Sequence, residues 1–174
     1  MYKFIGIVII VILISLTGFI IFSKKQIVSQ SSPSIIRPSI KATDLSLSPI
    51  TDIRSSFAIF TNGTFRIFTA SMYHNLSQDV YIDASNPNIV QVKKSGTTWN
   101  GFFSTLPFKL TPECLTTGTN ESFCNGSTGA LQFYINGVKY DNALEQEIND
   151  GDKLLVTFGT ESEAQIKQQI DNIP

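Results

Sequence analysis

The chain is short of the side chains on which most catalysis depends. His74 is the single histidine among 174 residues, so acid–base machinery or a multi-histidine metal site has one imidazole to draw on. No HExxH, GxSxG, phosphate-loop or glycine-rich dinucleotide pattern occurs. The two cysteines, Cys114 and Cys124, bracket CLTTGTNESFC and lack the C-x-x-C spacing that lowers a thiol pKa in redox motifs. Charged residues make up 16% of the chain, and the basic ones are not concentrated. Net charge is +3 over residues 1–53, +3 over 54–112 and −7 over 113–174, which argues against a nucleic-acid-binding face.

What the chain does have begins with residues 4–22, FIGIVIIVILISLTGFIIF, 19 residues without a charge. As a helix they span roughly 28 Å, the thickness of a bilayer core. The following SKKQIVSQSS is a poor cleavage site, so residues 1–25 are expected to be an uncleaved single-pass anchor. Lys24 and Lys25 outweigh Lys3 and would by themselves hold the C-terminal part in the cytoplasm. Two cysteines and four N-x-S/T sequons, at Asn62, Asn75, Asn120 and Asn125, point to an extracytoplasmic domain with candidate glycosylation sites. Residues 26–53, rich in serine and carrying Pro33, Pro38 and Pro49, read as an extended linker.

A domain is expected over residues 54–159. FAIF, Asn62-Gly63 and TFRIF suggest strand, turn, strand. A short strand at 80–82 and another at 89–92 follow. The period then changes: Trp99, Phe102, Phe103 and Leu106 fall at i, i+3, i+4 and i+7, one face of a short helix. Ser95, Thr97 or Thr98 is available to cap it, and Pro107 stops it. Leu131, Phe133 and Ile135 alternate with polar or aromatic neighbours as a strand, Asn136-Gly137 is a hairpin turn, and residues 138–140 return. After the Asp150-Gly151 turn, Leu154, Val156 and Phe158 make a last strand.

The segment between the cysteines, full of Gly, Thr, Asn and Ser, reads as an exposed loop closed by a Cys114–Cys124 disulfide. Residues 160–174 form a polar tail in which Ile166, Ile170 and Ile173 are spaced for a short helix.

Two strands, one helix packed across them, a hairpin and a final strand give an α+β class and the element order of a β-grasp fold, with a small sandwich as the competing arrangement. The run GTTWNGFFSTLPFKLTPECL, the second cysteine in FCN, and LQFYINGVKYDNALEQEINDGDKLLVTFG resemble a group of single-pass, mostly uncharacterised exported proteins of archaea and small-genome bacteria. In that group an FF-x-x-L helix precedes a Cys pair, an F-Y-x-N-G hairpin and a D-G-D-K-L/I-L strand. The resemblance covers about residues 54–159 and implies fold and membrane tethering, not an activity. Its members often carry several histidines in the strand before the helix; this chain reads NIVQVKKSG there, so no histidine metal site is implied for it.

Met72-x-His74 offers one thioether and one imidazole to copper, an incomplete set of ligands. Asp141, Glu145, Glu147, Asp150 and Asp152 match no EF-hand spacing and read as a solvated edge. Trp99 and its phenylalanines read as core. The expectation is a membrane-tethered extracytoplasmic binding or interaction module without catalytic activity or cofactor, meeting a protein partner at a sheet edge. Its alternatives are a thiol–disulfide oxidoreductase using Cys114 and Cys124, and copper binding near His74.

Overall fold

The computed structural model describes residues 50–174. The apolar run at 4–22 and the linker up to residue 49 lie outside the described residues. Among the described residues no helix is long and apolar enough to cross a membrane.

The described chain runs β1 (Ile50–Thr61), β2 (Thr64–Phe65), a 3-10 turn (Ser71–Tyr73), β3 (Val80–Tyr81), β4 (Ile89–Lys94) and helix α1 (Trp99–Phe103). It continues through β5 (Lys109–Leu110), β6 (Cys114–Thr116), β7 (Ser122–Cys124), β8 (Ala130–Ile135), β9 (Val138–Lys139), β10 (Lys153–Gly159) and helix α2 (Glu163–Asp171). The main sheet has the order β3-β4-β1-β10-β8-β9, with β2 hanging on the end of β1. Its centre is the parallel pair β1/β10, with Phe57 opposite Leu154 and Ile59 opposite Val156. The other pairings in this sheet are antiparallel. This is an α+β fold with a mixed sheet and a packed helix.

Alternation along the strands gives the sheet two buried faces. Phe57, Ile59, Val90, Val92, Phe133, Leu154 and Val156 share the larger core with Trp99, Phe102 and Phe103 of α1. The helix starts where Thr98 Oγ1 accepts the Gly101 amide at 3.1 Å, a cap of the expected kind. Phe57 meets Phe102 and Phe103 edge-on, with ring centroids at 5.3 and 5.7 Å, an arrangement that suits the aromatic quadrupole. On the opposite face Ala58, Phe60 and Leu155 pack with Ile166 and Ile173. The short helix for which the isoleucines of the polar tail are spaced is α2, and it covers the second face of the sheet rather than trailing from it.

Three local departures from the sequence reading stand out. Strand β1 begins at Ile50, inside the segment read as linker, because Ile50 and residues 53–56 pair with β4. Strand β2 is only two residues long, since Phe68 turns into the core against Phe57 at 5.1 Å rather than extending the hairpin. The cysteine segment is not an open loop: β5, β6 and β7 make a second, three-stranded sheet whose Leu115 and Phe123 are buried.

Candidate functional site: an apolar groove beside a disulfide-closed hairpin

Cys114 and Cys124 are disulfide-bonded and face each other as cross-strand partners in the β6–β7 hairpin. The Asn125 amide donates to the Glu113 carbonyl at 2.9 Å next to them, so the cysteines occupy a non-hydrogen-bonded position, where facing side chains come closest. The Thr116 hydroxyl lies 4.0 Å from Cys114 Sγ. Beyond the bond the hairpin rests on its own packing. Leu115 enters the main core, and the Phe123 ring lies 5.4 Å from that of Phe158. Gly118 sits so close to Pro107 that a Cβ there would come within 2.9 Å of the Pro107 carbonyl oxygen.

That hairpin forms one wall of a groove of 390 Å³. The other wall is the segment from Thr64 to Phe68, and Phe68, Tyr73 and Phe108 make the floor. The Phe68 ring lies 5.2 Å from Tyr73 and 6.0 Å from Phe108. Ile67 (68% exposed) and Met72 (53%) stand at the rim with Phe65. A concentration of large apolar side chains around a concavity, with solvent on the outside, marks an interaction surface better than scattered exposed residues do.

Arg66 ties the two walls together. Its Nη2 lies 3.5 Å from Glu121 Oε2, its guanidinium sits 5.0 Å from the centre of the Phe123 ring, and its Nε donates to Thr61 Oγ1. Arg66 is the charged residue in the groove lining, and Glu121 balances it at the rim.

The other candidates disperse. His74 Nε2 bonds the Phe68 carbonyl at 2.8 Å; a carbonyl only accepts, so Nε2 carries the proton. Met72 faces the groove instead. Among the described residues no group of three or more His, Cys, Asp and Glu converges as metal ligands would.

Three residues of the acidic cluster each accept from a different backbone amide, and Asp141 and Glu145 are exposed. Glu147 accepts from Gly96 N at 2.8 Å, Asp150 from Arg54 N at 2.9 Å and Asp152 from Asn149 N at 2.9 Å. Asp83, held by the Ser85 hydroxyl and the Asn86 amide, has its carboxyl below the usual range. Lys93 does the same for exposed Asp52 by a 2.6 Å hydrogen bond.

All four sequon asparagines are exposed. Asn62, Asn75 and Asn120 have positive φ values of 50°, 54° and 64°, a conformation asparagine tolerates in turns. Asn125 differs, since its Oδ1 accepts the Leu131 amide at 2.6 Å and so caps part of the outer edge of β8. An edge blunted by a side chain offers less to an incoming strand.

These features define a disulfide-closed α+β module with an apolar concavity. Searches of family models, curated proteins and solved structures find no match to the chain.

The groove was not legible beforehand. Its lining comes from Ile59, residues 64–68, Met72, Tyr73, Phe108, Leu115 and residues 117–119, which only tertiary packing brings together. The one local signal is the alternation of Phe65 and Ile67 within TFRIF, followed by Met72 in a stretch of mixed pattern.

Proposed function

We propose that the chain is a membrane-tethered, extracytoplasmic binding module without catalytic activity, built on a β-grasp-like sheet. The observation that carries this reading is the neutral, apolar groove walled by the disulfide-closed hairpin. Its rim leaves large apolar side chains in water, a cost a module avoids unless another surface covers them. Arg66 and Glu121 cancel each other, so the complement is an apolar protein segment rather than a highly charged ligand.

The β-grasp reading draws support from the sheet order, with the first and last long strands parallel at the centre and a helix between two antiparallel arms. The extracytoplasmic reading draws support from the disulfide, since such bonds persist in oxidising compartments. Tethering rests on residues 4–22. Candidate glycosylation at Asn62, Asn75, Asn120 and Asn125 belongs to the same reading, because glycan transfer needs the exported side.

The test is protease treatment of intact and lysed cells, followed by gel mobility of the recovered domain with and without reductant. Cleavage from outside intact cells and a reductant-dependent mobility shift are the expected results. Protection until lysis, together with free thiols, would overturn compartment and staple together.

A further inference from the structure

Helix α2 closes the second face of the sheet through a contact that is partly polar. Its inward positions are Ile166, Gln169, Ile170 and, just past its end, Ile173, spaced at i, i+3, i+4 and i+7. Opposite them lie Ala58, Phe60 and Leu155. Thr157 follows Leu155 by two residues along β10 and so shares that face. Gln169 Oε1 and Thr157 Oγ1 are both buried, and neither has a hydrogen-bond partner among the described residues. Lifting the helix returns both oxygens to water, so this contact opens at a lower cost than an apolar one of the same size.

Two hydrogen bonds tie the ends of this segment to the rest of the domain. Lys153 Nζ donates to the Ile173 carbonyl at 3.0 Å, and before the first turn Glu161 Oε1 accepts the Gly63 amide at 2.9 Å. The capping box of Ser162 and Gln165 is internal to the helix. Nine residues are too few for a helix to persist alone in water, so leaving the sheet and losing the helix are one event.

The tie at Glu161 leads to the groove. Gly63 precedes Thr64, where one wall of the groove begins. Phe60 makes a parallel apolar link: it shares a cluster with Ile166 beneath α2, and its ring lies 5.2 Å from that of Phe65, a residue of the same wall. Packed and hydrogen-bonded contacts of this kind carry coupling when an element between them has two discrete arrangements.

We infer that α2 is a releasable cover. It opens as a unit at a cost well below that of global unfolding, uncovers Ala58, Phe60 and Leu155, and in opening loosens the groove wall at residues 64–68. The consequence for binding rests on the groove being the module's binding surface; the opening itself does not.

Residue-resolved hydrogen exchange on the full-length chain in detergent reads the opening. The amides of Ile166 and Asn172 report α2, because they bond carbonyls within that segment. Those of Gly63 and Arg66 report the wall, the latter through its 2.8 Å bond to the Ile59 carbonyl. Strand β10 reports global unfolding. Relative to unfolded-chain rates, the α2 and wall amides should exchange at least about a hundredfold faster than those of β10. Thr157→Val and Gln169→Leu each remove one unpartnered oxygen, and each should slow α2 and the wall together by about fivefold. Ile166→Asp places a charge in the contact and should leave α2 unprotected while β10 stays protected.

Protection of α2 equal to that of β10 in the unaltered chain would overturn the cover, whether or not the Ile166→Asp chain folds. Slowing of α2 with no change at Gly63 and Arg66 would overturn its coupling to the groove. The cell-surface and reductant test reads compartment and disulfide instead, so its failure would remove the membrane-tethered reading and leave the opening of α2 in place.

Discussion

The side chain of Asn136 donates from Nδ2 to Asp152 Oδ1 at 2.8 Å, joining a hairpin turn to the start of a strand sixteen residues later. The same asparagine accepts the Lys153 amide on Oδ1 at 2.9 Å, and Asp152 is itself buried. At φ 53° the residue also sits in the left-handed region, so it serves the turn and the staple at once. Asn136→Gly keeps the backbone conformation and removes the staple; a loss of about 1–2 kcal/mol is expected in urea titration. Asn136→Ala should cost about 1 kcal/mol more, from the φ that alanine resists. Equal stabilities for the two variants would show that the backbone conformation is not a separate contribution.

This staple shows what was legible and what was not. The Asn-Gly and Asp-Gly turns, and the alternating strands beside them, stood out because turn chemistry and a period of two are local properties. The same holds for Trp99, Phe102 and Phe103 on one helical face. That Asn136 and Asp152 bond each other is a consequence of sheet order, which no local pattern encodes. Strands β6 and β7 escaped for another reason: each has one buried residue, Leu115 or Phe123, among Cys, Ser and Thr, too few positions to establish a period. Helix α2 had its isoleucines in view, but its polar surroundings hid that they bury against Ala58, Phe60 and Leu155.

Asp83 supplies a pH dependence. The Ser85 hydroxyl, then the Asn86 amide, with further bonds from the Ser85 amide and Gln91, hold its carboxyl below the usual carboxylate range. Because the native value is the lower one, the stabilisation is present above the unfolded value and is lost as pH falls through the native one. Asp83→Asn should therefore flatten the acid side of the melting temperature against pH and leave the slope at neutral pH unchanged. Melting curves from pH 2 to 7 would check this, and superimposable acid limbs would contradict it.

Thr157 presents the reverse case, a place where the native residue costs stability. It is 1% exposed on strand β10, and its Oγ1 has no hydrogen-bond partner among the described residues. Gln169 Oε1 on α2 is in the same condition. Valine matches the shape of threonine without the hydroxyl. Thr157→Val is thus expected to stabilise the domain by about 1 kcal/mol, the order of the penalty for a buried polar group left without a partner. Denaturant titration reads it, and a destabilised variant would mean that the hydroxyl is hydrogen-bonded in solution.

The disulfide separates a structural hairpin from a redox centre. Closing an eleven-residue loop restricts the unfolded chain enough to stabilise by ~2–3 kcal/mol. The hairpin has independent support in buried Leu115, in the Phe123–Phe158 contact and in the close approach of Gly118 to Pro107. Replacing both cysteines with serine should accordingly lower the unfolding free energy by about that amount while the domain stays folded. With the hairpin base released, faster amide hydrogen exchange is expected at Thr117 to Glu121, where Thr117 N donates to the Glu121 carbonyl at 2.8 Å, and unchanged exchange in β1 and β10. A bond that serves this purpose should also resist reduction, with a potential below about −300 mV. A potential near those of thiol oxidants, combined with no loss of stability in the double serine variant, would instead assign Cys114 and Cys124 to thiol–disulfide chemistry.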